Sequence, residues 1–216
     1  VYKNYVYIQY IKNMKAMMPS TCWSFQTETV NNWAYWKNSF TKEECEKIIK
    51  IAKSYNLQKA GLLEKGNKSV IEEKIRETNI IFLVPGKETE FIFKRLTSLL
   101  LEMNKNFFNF DLWGLQEGLQ FTNYVAPNGK YDKHIDKTSP EFKGFIRKLS
   151  FSLQLSNPKE YKGGDFNLHL SSKKTTLLKE QGTLLVFPSY VLHQVNKVTK
   201  GERNSLVGWV TGPPFK

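Results

Sequence analysis

The spacing of hydrophobic positions changes near Leu115, and the chain divides there into two textures. Upstream, Cys45, Ile48, Ile49, Ala52 and Tyr55 recur at the three-and-four interval of an amphipathic helix. Thr41 sits at its N-cap position with Glu44 three residues on, a pairing that satisfies two orphan backbone donors at a helix start. A second helical pattern runs from about Glu88 to Asn106 and turns Phe91, Leu96, Leu99, Leu100 and Met103 toward a core. Between the helices, residues 61–78 are polar and read as irregular chain; these and residues 137–147 are candidates for mobile flaps.

Downstream, short runs of Val, Phe, Tyr, Leu and Thr alternate with Gly, Pro and Asn, which predicts successive strands. They span Leu119 to Tyr124, Lys130 to His134, Lys148 to Leu155, Asp165 to Leu170, Thr183 to Phe187, His193 to Val195 and Ser205 to Val210. Asn128-Gly129 and Lys200-Gly201 read as tight turns, and Gly163-Gly164 as a bend or bulge. Helices first and strands afterwards predict an α+β fold, mainly β: a sandwich or barrel of jelly-roll type supported by N-terminal helices. In the strand from Lys148, Ser150, Ser152 and Gln154 alternate with Leu149, Phe151, Leu153 and Leu155, and that polar face is either solvated or turned to an active site. His169 alternates with Leu168 and Leu170 and reads as a solvated surface residue.

Composition narrows the classes. With 40% hydrophobic and 14% aromatic residues the chain is globular, and its length of 216 fits one domain with an appendage. The division expected is an N-terminal extension of unknown role, 1–33, and a domain over 34–216. Cys22 and Cys45 are too few for a disulfide framework and suit reduced thiols in a cytoplasmic protein. No apolar run reaches the ~20 residues of a membrane span, so no membrane partner is expected. The formal charge is +12, yet the lysines are scattered, so a solubilising surface is favoured over a nucleic-acid interface. Oligomeric state is not legible.

Two of the three histidines carry the chemistry. His134-Ile135-Asp136 lies at a strand end, and side chains two apart on a strand share a face, so imidazole and carboxylate can converge on one cation. His193 follows on a later strand. Two imidazoles and one carboxylate leave open positions on a metal, the facial arrangement of non-haem Fe(II) oxygenases. Isolated strand histidines are also common as surface or hydrogen-bonded core residues, so the spacing alone is a weak signal. Arg203, with Ser205 two residues on, adds a fork for a carboxylate, and a metal beside a carboxylate clamp suits a 2-oxo diacid.

The run from Leu149 to Phe166, including Asn157-Pro158-Lys159-Glu160-Tyr161-Lys162-Gly163-Gly164-Asp165, resembles the Fe(II)/2-oxoglutarate-dependent dioxygenases of the prolyl 4-hydroxylase class. It is especially similar to PKHD-type hydroxylases, as are Gly182 to Ser189, Leu192 to Val195, Val198 to Arg203 and Trp209. The resemblance covers roughly Phe121 to Val210 and implies a double-stranded β-helix core. It implies that His134, Asp136 and His193 ligate Fe(II) and that Arg203 binds the far carboxylate of the co-substrate 2-oxoglutarate. Tyr124 matches a tyrosine that hydrogen-bonds the co-substrate, and Ser205 and Trp209 match positions lining the co-substrate and substrate pocket; Tyr131 is a further substrate candidate. Tyr124 and Trp209 equally suit a core. The implied activity uses O2, hydroxylates a C–H bond of a peptidyl proline or similar side chain, or of a small molecule, and releases succinate and CO2, with ascorbate as an auxiliary. Asp136 itself favours hydroxylation over halogenation, which vacates that position. Gln194 and Asn196-Lys197 depart from the family pattern around the distal histidine and leave the substrate open. Two alternatives stand beside this reading: oxidative modification of a nucleic-acid base, and a non-catalytic jelly-roll binding module.

Overall fold

The computed structural model describes residues 30–60, 62–63, 69–70, 75–138, 144–170 and 173–215. Helix α1 (Lys42–Lys53) opens on the expected capping box: Glu44 N–H donates to Thr41 Oγ1 at 3.2 Å and Thr41 N–H to the Glu44 carboxylate at 2.8 Å. It buries Cys45, Ile48, Ile51 and Ala52 and ends two residues before Tyr55, which is therefore exposed rather than on the core stripe. Helix α2 (Glu90–Met103) buries Ile92, Leu96, Leu100 and Met103. Phe91 and Leu99, expected inside, sit only partly buried at the flank, because Ile92 claims the centre of the stripe. A π-helical turn (Asn104–Phe108) closes it, and Asn104 stops the chain by bonding the Phe110 N–H at 3.0 Å and donating to its carbonyl at 2.9 Å.

The strands, in chain order, begin with β1 (Ala34–Trp36), β2 (Gln58–Lys59), β3 (Leu62–Leu63), β4 (Ser69–Val70), β5 (Arg76–Glu77), β6 (Asn79–Leu83), β7 (Leu119–Val125) and β8 (Lys130–His134). They continue with β9 (Ile146–Gln154), β10 (Lys162–Gly163), β11 (Phe166–Leu170), β12 (Lys173–Thr176), β13 (Leu184–Pro188), β14 (His193–Val195), β15 (Val198–Lys200) and β16 (Glu202–Gly212). The larger sheet runs β1-β13-β9-β16-β7-β6-β2 and the smaller β12-β11-β14-β8-β5, with every pairing antiparallel. This is the jelly-roll core expected, with its helices against one sheet.

Alternation along the larger sheet sorts its two faces. Leu119, Phe121, Leu149, Phe151, Leu153, Leu184, Val186 and Leu206 join the helical residues in one apolar layer. Each such fully buried side chain contributes about 1.5–3 kcal/mol from area removed from water. The opposite face turns toward the smaller sheet and is largely polar yet buried: Thr122, Ser150, Ser152, Gln154, Arg203 and Ser205. Ser150, Ser152 and Gln154 thus line the interior between the sheets. Beside them a second apolar cluster, with Tyr124, Phe166, Leu168, Leu185, Phe187 and Val195, seals the sandwich.

Several expectations need correction. Within residues 61–78, where irregular chain was expected, β3 pairs with β4 and β5 with β8; β6, which no expected element covered, pairs with β7 from Asn79↔Asn123 to Leu83↔Leu119. These short segments show no clear alternation, so long-range pairing supplies what local pattern lacks. His169 is half-buried rather than solvated, because β12 pairs over it; its Nε2 is enclosed without a hydrogen-bond partner. The remainder of the first candidate flap, most of the N-terminal extension with Cys22, and residues 139–143 of the second flap lie outside the described residues.

Candidate active site

His134 ends β8 and pairs in register with His193 on β14, which stacks two distant segments side by side. Their ring centroids are 4.1 Å apart. Asp136 follows two residues beyond His134, its N–H tied to the Ser189 carbonyl at 3.0 Å. Its carboxylate oxygens lie 3.7 Å from His134 Nε2 and 3.5 Å from His193 Nε2. His134 Nδ1 donates to the Asp132 carbonyl and His193 Nδ1 to the Val191 carbonyl, each at 2.8 Å. A carbonyl only accepts, so Nδ1 carries a proton in both rings, which leaves each Nε2, turned toward Asp136, as the atom available to a metal.

Burial, and then the neighbouring His193, push His134 down to about 4, so this ring is neutral near pH 7. For Asp136, burial alone would raise the carboxyl pKa; the two imidazoles and the Ser150 hydroxyl outweigh it, and the group is held below the ordinary carboxylate range. Ser150 Oγ donates to Asp136 Oδ2 at 2.7 Å and lies 2.9 Å from Ser189 Oγ. Two imidazole nitrogens and one carboxylate oxygen, no more than 4.8 Å apart, form a donor set on one side of a shared point. That set suits a non-haem Fe(II) ion with open positions.

Arg203 lies on the inner face of β16, 2% exposed. Its Nη2 donates to Gln154 Oε1 at 2.8 Å and its Nη1 to Ser205 Oγ at 3.3 Å, and its guanidinium packs 5.4 Å from the Tyr124 ring centre. The Nε is buried without a hydrogen-bond partner, and among the described residues no carboxylate pairs with the group. A buried, uncompensated cation is costly, and the arrangement fits an anionic ligand arriving from outside the chain. Gly164, at φ +62°, backs this side chain: a Cβ there would meet Arg203 Cδ at 2.9 Å.

The remaining expected residues also reach the interior. Tyr131 stacks on His134 with centroids 3.5 Å apart. Trp209 is buried, with its indole N–H lacking a partner within hydrogen-bond length, and Arg147 lies 3.7 Å over its ring. Ser205 Oγ is 2.7 Å from Thr122 Oγ1. The site further contains Arg147, which the sequence did not single out, and Gln154, whose strand face the sequence left between solvent and an active site. Arg147 is held bidentately by Glu117, with Nε at 2.7 Å from Oε1 and Nη2 against Oε2, and Gln154 orients Arg203. The alternation of Ser150 and Gln154 offered a signal; nothing local tied Arg147 to Glu117, or marked Arg76.

Two sheets closed face to face around an open nitrogen, nitrogen, oxygen donor set, with a buried guanidinium in the same interior, form a jelly-roll domain that carries the ligand types of a non-haem iron site. Residues 119–211 match the family model of the 2OG-Fe(II) oxygenase superfamily. A PKHD-type hydroxylase of Prochlorococcus marinus strain MIT 9515 is 34% identical over 93 residues, 43% of this chain and 41% of its own. Another, from Picosynechococcus sp., is 36% identical over 92 residues, again 43% and 41%. The chain thus matches less than half the length of these relatives. Among solved structures, a Pseudomonas putida prolyl-4-hydroxylase superposes with a TM-score of 0.64 at 22% identity, over 85% of this chain and 94% of that one. A Trichoplax adhaerens prolyl hydroxylase, in complex with a hypoxia inducible factor oxygen degradation domain peptide fragment, gives a TM-score of 0.68 at 18% identity, over 83% of each. Over residues 119–211 the chain is thus similar to the 2OG-Fe(II) oxygenase superfamily, with PKHD-type hydroxylases among its relatives in sequence and a fold shared with the prolyl hydroxylase structures. No helix among the described residues is long and apolar enough to cross a membrane.

Proposed function

We propose that the domain, taken as residues 34–216, is an Fe(II)- and 2-oxoglutarate-dependent dioxygenase that hydroxylates a C–H bond of a peptidyl proline or similar side chain, releasing succinate and CO2. His134, Asp136 and His193 hold the ion through Nε2, a carboxylate oxygen and Nε2. The Asp132 and Val191 carbonyls fix the tautomers, and Ser150 keeps the carboxylate turned inward. Arg203, oriented by Gln154 and Ser205, takes the far carboxylate of 2-oxoglutarate, and Tyr124 bonds the same co-substrate. Trp209 and Tyr131 shape the substrate side. When bound, Fe(II), 2-oxoglutarate and O2 supply the oxidising chemistry, one oxygen atom going to the substrate and one to succinate, with ascorbate as an auxiliary reductant.

What carries this reading is the buried Arg203 guanidinium, unpaired by any carboxylate among the described residues and facing the same interior as the donor set. A peptide substrate agrees with the Trichoplax prolyl hydroxylase, whose structure is a complex with a peptide fragment. The basic charge supports a nucleic-acid substrate poorly, since Lys37, Lys53, Lys94 and Lys179 are engaged with Glu180, Glu202, Glu90 and Asp165. The test is succinate formation from 2-oxoglutarate under Fe(II) and O2. Activity in the unaltered chain and its loss in Asp136→Ala are expected; equal turnover in that variant overturns the proposal.

A further inference from the structure

Resting on the dioxygenase reading, we infer that Arg76 anchors the molecule being oxidised by a carboxylate, so that the substrate is an anion. Arg76 lies on β5 in register with Tyr131 and is 8% exposed. Its Nη2 donates to Gln120 Oε1 at 2.7 Å. Gln120 alternates with Thr122 and Tyr124 on the inner face of β7, so the bond draws the guanidinium between the two sheets. The cation stands 4.5 Å from the Tyr131 ring centre, and Tyr131 stacks on His134, which sets Arg76 one aromatic ring away from the donor set.

Like Arg203, Arg76 has a buried Nε without a hydrogen-bond partner, and no carboxylate among the described residues pairs with it. Glutamine orients the guanidinium and leaves its charge uncompensated. 2-Oxoglutarate does not answer for both arginines: its far carboxylate goes to Arg203 and its near end to the ion. Arg147, the third guanidinium of this interior, is already neutralised by Glu117. With a divalent ion, Asp136, the doubly charged co-substrate and the two arginines in place, one positive charge is left over. A monoanionic group on the substrate cancels it, and the planar fork of Arg76 suits a carboxylate.

The carboxylate has two sources, an acidic side chain of a peptide or the terminus of a free amino acid, and matched probes separate them. The full chain, supplied with Fe(II), 2-oxoglutarate and O2, is given proline peptides flanked by Glu or by Gln, and L-proline against L-prolinamide. Succinate formed above the substrate-free rate is measured. In at least one pair the acid is expected to exceed its amide by about 10- to 100-fold in kcat/KM, the weight of a charge-assisted bond in a buried site. Arg76→Gln brings the two members within about 2-fold, whereas Arg76→Lys keeps an intermediate preference. The preference is a ratio within each protein, so partial misfolding cancels. Equal response to acid and amide in the unaltered chain, including no response to either, overturns the inference, as does a preference that survives in Arg76→Gln. Absence of substrate-free succinate formation, by contrast, sinks the dioxygenase reading itself.

Discussion

Replacing Arg203 with Met should stabilise the ligand-free chain while abolishing its response to 2-oxoglutarate. Methionine has similar reach, no charge and enough flexibility to fill the slot beneath Tyr124. The substitution forfeits the bonds to Gln154 and Ser205, and the unpaired Gln154 Oε1 costs about 1–3 kcal/mol. Loss of the contact with the Tyr124 ring costs about 0.5–1 kcal/mol more. Against this stands the penalty of holding a guanidinium 2% exposed with no counter-ion, several kcal/mol even after relaxation. The balance favours the variant by about 2 kcal/mol, which at about 2–4 °C per kcal/mol raises its midpoint by about 4–8 °C. In the unaltered chain, 2-oxoglutarate at 100 times its Kd adds about 2.7 kcal/mol, a shift of similar size that the variant lacks. Thermal unfolding with Mn(II) in place of iron, with and without 2-oxoglutarate, reads both effects. A ligand-free variant that melts below the unaltered chain, or one that keeps the co-substrate shift, refutes the claim that this arginine is held in reserve for an anion.

Other outcomes follow from single side chains. Gly164→Ala forces a left-handed φ of +62° on alanine and drives its Cβ against Arg203 Cδ and Val198 Cγ2, so stability should fall by about 1–2 kcal/mol and the KM for 2-oxoglutarate should rise. Burial pushes the Cys45 thiol up to about 12, leaving on the order of one thiolate in 10⁴ at pH 8, so peptide mapping should find Cys45 unalkylated by iodoacetamide until urea unfolds the chain. The hydrogen bond from Lys179, at 2.5 Å, lowers the Asp165 pKa in the folded chain. A depressed carboxyl stabilises above its unfolded value of 3.8 and loses that contribution as pH falls through the folded one. The pair is partly exposed, so the contribution is under about 1 kcal/mol, and Lys179→Met should flatten the acid limb of a stability-versus-pH curve by that amount.

How much of this was legible in the sequence depends on how far each signal reaches along the chain. The capping box at Thr41 is complete within four residues, and the structure keeps it intact. Seven of the ten strands from β7 to β16 were equally readable, because most of them bury one face and repeat every second residue, whereas the short β10, β12 and β15 were not expected. Tyr55 and Phe91 were misplaced, since a helix end and the centre of a helical stripe are decided by what packs against them. β5 and β6 escaped notice for the same reason: a two-residue strand carries no period, and β6 is defined by its pairing to β7.

The site divides along the same line. The H-x-D and the later histidine stood out by residue type, but their convergence belongs to the register of β14 on β8, which places His193 opposite His134. The polar alternation Ser150, Ser152, Gln154 was visible as a pattern and ambiguous in meaning, because a solvated sheet face and a catalytic interior demand the same residues. Burial decides it: Ser150 and Gln154 are enclosed, and each bonds a charged group of the site, Asp136 and Arg203. A buried polar row is tolerated only where every member finds a partner, and the unpartnered atoms left over are then informative. Arg203 Nε and Arg76 Nε are two such atoms, and in the readings proposed above the missing partner of each guanidinium is an anion that arrives from outside the chain.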